Sequence, residues 1–161
     1  MLSLTLFSHA QEAGLIQFEM KDQFDSLYSH EGLANRVVIL IGSDKDGSPF
    51  NSVWGKALHD SLQTHPAFEQ IRFLPVADLR GVPFFMKGFV KGHFPKEKER
   101  RVLLDWGGKF AKTYRFTSKM SNIIIFDRNG ELIYQTTARE LHPETLAAML
   151  QMLRKVLEER A

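Results

Sequence analysis

The run Val37-Val38-Ile39-Leu40-Ile41 constrains the fold more than any other stretch of the chain. Every position is apolar, so a strand built from it carries oily side chains on both faces and needs a cover on each. It runs straight into Gly42-Ser43-Asp44-Lys45-Asp46-Gly47-Ser48-Pro49, a cluster of turn formers. A two-faced strand that stops abruptly predicts the central strand of a layered α/β domain. Beyond the turn, Val53, Trp54, Ala57, Leu58 and Leu62 recur at helical spacing, which predicts a helix over 51–63 with Asn51 or Ser52 as its cap. Ile71-Arg72-Phe73-Leu74-Pro75-Val76 then reads as another strand. This βαβ order predicts parallel neighbours with a right-handed crossover.

The end of the chain carries a second clear pattern. Asn122 to Phe126 and Leu132 to Thr136 flank Asp127-Arg128-Asn129-Gly130, whose Asn-Gly step suits the positive φ of a hairpin turn. Pro143 fits the first position of a helix, and Leu146, Met149, Leu150, Leu153, Val156 and Leu157 form one stripe behind it. Leu15 to Met20 and Val102 to Asp105 read as short strands, Asp22 to Asp25 as a turn, and Lys109 to Tyr114 as a short helix. Residues 80–101 read as a largely helical insertion. The expectation is a single domain over 1–161, with its core at about 16–158 and a mixed sheet flanked by helices.

The sequence contains no cysteine. Disulfides, thiolate metal sites, iron–sulfur clusters and thiol nucleophiles are therefore unavailable to this chain. No apolar run approaches the roughly 18 residues of a membrane helix. Residues 1–13 contain a short apolar stretch but no basic segment ahead of it, so a cytoplasmic location is expected, with a periplasmic one as the alternative. Charge is unevenly spread: residues 80–119 hold 11 Lys/Arg against three Asp/Glu, a net +8 within a chain of net +2.

Three stretches stand in a telling order. Phe18-Glu19-Met20-Lys21-Asp22-Gln23-Phe24-Asp25 resembles the "f-x-l-x-D-q-x-G" opening of redoxin domains. Leu103-Leu104-Asp105-Trp106-Gly107-Gly108-Lys109-Phe110-Ala111-Lys112-Thr113-Tyr114 is similar to their "l-x-D-x-x-g-x-x-a-x-x-y" segment. Ser121 to Ile133 resembles their "s-x-x-i-i-i-D-x-x-G-x-i" hairpin. With the intervening pattern, the chain resembles the thioredoxin-like superfamily on its redoxin or peroxiredoxin side, and its second half is similar to YtfJ-type bacterial proteins.

The resemblance implies a nucleophilic cysteine after the first central strand, where helix amides stabilise a thiolate. Aligning the peroxiredoxin "P-x-x-x-T-x-x-C" pattern puts Asp44 at Pro, Ser48 at Thr and Asn51 at Cys. Ser43 and Ser52 flank this degenerate active-site position, and Ser121 or its neighbour stands where the resemblance implies a thioredoxin's cis-proline. A serine needs a base to activate it, and its oxygen cannot cycle through sulfenic acid or disulfide. Peroxidase and disulfide-exchange chemistry by this chain alone are excluded.

The remaining candidates are weaker. The histidines His9, His30, His59, His65, His93 and His142 show no metal-binding pair spacing, and no metal or cofactor is expected. Asp44, Asp46, Gly47 and Ser48 lack the later ligands of a calcium loop. Lys96, Lys98, Arg100 and Arg101 are the candidate anion contacts. Their basic segment reads first as a solvated face with Phe85 and Phe89 packed inward, and otherwise as a surface for protein, lipid headgroups or single-stranded nucleic acid. The modest overall charge argues against nucleic acid. The expected function is a redox-inactive redoxin relative that binds or scaffolds a protein partner, or pairs with itself as a homodimer. The alternative is an enzyme or accessory protein reusing Ser43, Asp44, Ser48 and Asn51.

Overall fold

A computed structural model describes residues 14–159. Residues 1–13, with the short apolar stretch and His9, lie outside the described residues. The elements run β1 (Glu19–Lys21), β2 (Leu27–Ser29), β3 (Val37–Ser43), α1 (Ser48–Leu62), β4 (Ile71–Asp78), α2 (Lys87–Lys91), β5 (Leu103–Asp105), α3 (Lys109–Thr113), β6 (Ser121–Phe126), β7 (Leu132–Ala138) and α4 (Pro143–Glu158). Five strands form one sheet in the order β5-β4-β3-β6-β7, and β1 pairs with β2 in a small hairpin.

β3 sits in the middle of the large sheet, as its two-faced sequence requires. It runs parallel to β4 and antiparallel to β6, so the sheet is mixed. All seven of its residues are buried. Alternation then sorts its side chains by face. Val37, Ile39 and Ile41 meet Trp54, Leu58 and Leu62 of α1 and Met149, Leu153 and Leu157 of α4. Val38 and Leu40 meet Phe18, Phe110 and Tyr114 on the opposite face. Each fully buried Leu or Ile contributes about 1.5–3 kcal/mol by leaving water, so the two half-cores are the main stabilising term.

The terminal hairpin forms as its sequence predicts: β6 and β7 are antiparallel, and Gly130 takes a φ of 76°. Asp127 Oδ1 organises the turn by accepting the Asn129 and Glu131 amides at 2.9 and 3.0 Å. α4 starts at Pro143 and buries the expected stripe.

Three expectations need correction. α1 begins at Ser48, ahead of Asn51 and Ser52, because Pro49 occupies its first turn, where a fixed φ and a missing N–H suit a helix start. The first strand is only Glu19–Lys21. The Leu15 amide goes to Gly130 O at 2.8 Å and the Ile16 amide to Tyr114 Oη at 2.9 Å, so neither joins a ladder. Within 80–101, helix is confined to a 3₁₀ turn at Phe84–Met86 and to α2, and the rest is turn and irregular chain.

Candidate functional site

The head of α1 follows β3 through a tight turn, as the sequence implies, and the candidate residues there divide into two groups. Ser43 is buried at the end of β3, while Ser48 and Ser52 are exposed on α1. The β3–β6 register, which pairs Gly42 with Asn122, carries Ser43 alongside Ser121 on the face that α1 covers. Asn51 points inward from the second turn, and its Nδ2 donates to Ser43 Oγ at 2.7 Å. Asn51 Oδ1 and Ser121 Oγ are buried and make no hydrogen bond among the described residues. The place expected for a thiol is therefore taken by the half-buried Asn51, bonded to the buried Ser43. The exposed hydroxyls of Ser48 and Ser52 lie apart from it.

Asp44 does something the sequence did not indicate. Its carboxylate accepts from Gly47 N at 2.9 Å, from Ser118 Oγ at 2.6 Å and from Lys119 N at 2.9 Å. Partial burial pushes the Asp44 carboxyl up, but the bonds from Ser118, Lys119 and Gly47 outweigh it and hold the group below its ordinary 3.8. The α1 turn is thus tied to the loop that precedes β6. Gly47 seals the junction: a Cβ there would stand 2.4 Å from Met120 O.

On the other face of the sheet, Asn122 is the hub of the same loop. Its Oδ1 accepts the Thr117 amide at 2.7 Å, and its Nδ2 donates to Gly42 O, Thr117 O and Met120 O at 3.1–3.2 Å. The Phe116 ring lies over Gly42, where a Cβ would come within 2.4 Å of Cε2. Ser121 opens β6 with no cis peptide bond anywhere among the described residues. Asn122 was missed in the sequence because it reads as one more residue of an apolar strand.

The residues that carried the redoxin resemblance prove to be structural parts. Asp105 accepts the Lys109 and Phe110 amides at 2.8 and 2.9 Å and so caps α3. Gly108 takes a φ of 67°, and Tyr114 Oη donates to Gly14 O at 2.8 Å. Asp22 Oδ1 accepts the Phe24 and Ser26 amides, closing the expected turn. Gln23 pins the 80–101 excursion, donating to Arg100 O at 2.7 Å and Pro95 O at 3.2 Å and accepting from Val102 N at 2.9 Å.

The basic candidates Lys96, Lys98, Arg100 and Arg101 are all exposed. Arg101 is engaged locally, donating to Tyr28 Oη and to Lys98 O. His59 Nδ1 lies 3.5 Å from Asp60 Oδ1 and has no hydrogen bond to Ser52. Among the described residues, no three His, Asp or Glu side chains come together as a metal set. Two surface concavities, of about 380 and 410 Å³, are lined by residues of β1, α2 and β5 and by the start of α4, away from the head of α1.

The sheet order, the α1 and α4 layer and the position of the α1 turn define a thioredoxin-like fold. No protein-family model and no curated protein matches the chain. Solved structures match it over most of its length. The pneumococcal exposed lipoprotein thioredoxin from Streptococcus pneumoniae strain TIGR4 superposes with a TM-score of 0.64 at 18% identity, covering 87% of this chain and 99% of that one. BsSco, a member of the Sco family of cytochrome c oxidase assembly proteins, gives 0.62 at 14% identity, covering 93% and 96%. The thioredoxin domain of a thiol-disulfide oxidoreductase from Bacteroides vulgatus gives 0.56 at 14%, covering 91% and 99%. The chain therefore has the thioredoxin-like fold without the active-site cysteines, and at these identities the likeness is one of fold. Among the described residues no helix is long and apolar enough to cross a membrane.

Proposed function

We propose that this chain is a redox-inactive thioredoxin-like protein, on the redoxin side of the fold and akin to the YtfJ-type proteins, whose role is to bind or scaffold. Ser43, Asp44, Ser48, Asn51, Ser52 and Ser121 are its degenerate active-site position. The reading also takes 1–161 as one domain in the cytoplasm. The single observation that supports it most is the Asp44 bridge to Ser118 and Lys119. In a thioredoxin-type site, the helix-head turn and the loop before the hairpin stand on either side of the reacting sulfur and its substrate. Here the two segments are fastened to each other, with Ser43 and Asn51 turned inward beneath them. A nucleophilic serine would need a base within hydrogen-bond reach, and among the described residues no His side chain hydrogen-bonds to Ser43, Ser48 or Ser52.

The purified protein should reduce neither insulin disulfides with a dithiol donor nor hydrogen peroxide. Steady turnover in either assay, above a heat-denatured control, would defeat the reading.

A further inference from the structure

The 80–101 excursion carries an apolar tip that the fold does not use. Phe84, Phe85 and Phe89 are 86, 83 and 63% exposed, against the expectation that Phe85 and Phe89 pack inward. At 86 and 83% a ring has almost no protein neighbour. These rings project outward instead of lining a groove or lying flat on a platform, either of which would cover one ring face. The excursion beneath them is firmly held, by Gln23 at its far end and by a 2.6 Å bond from Lys91 Nζ to Asp25 Oδ2. Lys87 stands over the Phe84 and Trp106 rings, 5.6 and 5.1 Å from their centroids, so a cation is built into the tip itself.

Charge on the same segment points one way. Residues 84–101 hold six Lys/Arg and two Glu. Lys91 is paired with Asp25, and Arg101 is tied to Tyr28. Lys87, Lys96, Lys98 and Arg100 form no ion pair among the described residues. A projecting aromatic tip that holds Lys87, on a segment carrying three more unpaired and exposed cations, complements a surface with phosphates outside and hydrocarbon just beneath.

We infer that this tip docks the chain on an anionic lipid surface, with Phe84 and Phe85 entering the headgroup boundary and Lys87, Lys96, Lys98 and Arg100 lying over the phosphates. The inference rests on the binding reading above and names its partner. A bilayer accepts protruding rings without a matching socket, which a protein partner would have to supply. Single-stranded nucleic acid stacks along aromatic faces laid open on a groove or platform, and these rings are not arranged that way.

The test is sedimentation of the intact protein with vesicles of phosphatidylcholine and phosphatidylserine in equal parts, compared with phosphatidylcholine alone. Binding is expected on the mixed vesicles and should fall by about fivefold for each free cation removed, as in Lys96→Gln and Lys98→Gln. Phe84→Ser/Phe85→Ser should weaken it at least about tenfold, in keeping with the transfer of two large apolar side chains. Because both rings are exposed, that variant should melt at the wild-type temperature. Trp106 beside the tip offers a second signal: its emission should shift to the blue on mixed vesicles, with buried Trp54 as a constant background. No sedimentation on mixed vesicles, equal binding to both vesicle types, or binding unchanged in the serine variant would each overturn the inference. So would a homodimer, or retention on a single-stranded oligonucleotide, that is lost in the serine variant while vesicle binding is absent. None of these results bears on the insulin and peroxide assays, which judge redox inactivity separately.

Discussion

Asn51 Nδ2 donates a 2.7 Å hydrogen bond to Ser43 Oγ, joining the second turn of α1 to the last residue of β3. The bond lies at the head of α1, where the redoxin resemblance puts the nucleophile, and it gives both side chains a structural task. Ser43→Ala leaves the Asn51 amide without its acceptor in an enclosed place, which should lower unfolding free energy by about 1–3 kcal/mol. Asn51→Leu in the same background should cost less than it does alone, because the orphaned amide goes with it. Urea titrations of the two single variants and the double variant measure the coupling; strict additivity would count against the bond.

Asp44 should make the protein sensitive to acid. Its folded-state pKa lies below the ordinary 3.8, so the carboxylate contributes stability that is complete above that value and is lost as pH falls through the lower folded value. Asp44→Asn puts an amide donor where the Lys119 or Gly47 N–H must be accepted, and should cost about 1–2 kcal/mol near neutral pH. The gap between wild type and variant should narrow below about pH 4. Thermal melts across that range decide it; a gap independent of pH would mean that Asp44 is not the group responsible.

Gly47 and Gly88 should respond in opposite ways to alanine. At Gly47 the new Cβ would meet Met120 O at 2.4 Å and Ser43 Cβ at 2.8 Å, and backbone cannot swing aside as a side-chain end can. Gly47→Ala should destabilise by about 1–3 kcal/mol through overpacking. Gly88, inside α2 with open space around it, should gain up to about 1 kcal/mol from the better helix former. Chemical denaturation of both variants checks the pair.

Tyr114 should set an alkaline limit. Burial raises its hydroxyl from the ordinary 10.0 to about 12, with the Ile16 amide pulling the other way. A raised folded-state value means that the stability it contributes is intact below 10.0 and is lost as pH climbs towards about 12. Tyr114→Phe keeps the ring contacts with Phe110 and Phe126 but strands the Ile16 N–H and Gly14 O. It should cost about 1–2 kcal/mol at neutral pH and flatten the alkaline decline. Unfolding followed by circular dichroism across that window would show both effects, and an equally steep decline in the variant would sink the assignment.

Legibility in the sequence followed the range of the interaction. Val37 to Ile41 announced a buried central strand, and Asn129-Gly130 announced the hairpin, because burial pattern and turn chemistry are written in adjacent residues. The start of α1 was misplaced by three residues because Asn51 is a good cap by type, yet Pro49 opens the helix and Asn51 turns to Ser43 instead. The inward packing expected of Phe85 and Phe89 failed for a similar reason. Their spacing suits a helix face, but α2 spans only five residues and has no core to face.

The sequence by itself determined the fold class, through a strand that needs cover on both faces within a βαβ order and a terminal hairpin, and the absence of thiol chemistry, through a residue type that is missing altogether. Only the tertiary structure decided what the polar residues at the head of α1 and before β6 do. Asp44 reaches Ser118 and Lys119 across 74 and 75 positions of chain, and Asn122 reaches Gly42 across 80. Each of those side chains is ordinary where it stands in the sequence. The physical reason is that a polar side chain's role depends on which backbone groups the folded sheet delivers to it, and no local pattern records that delivery.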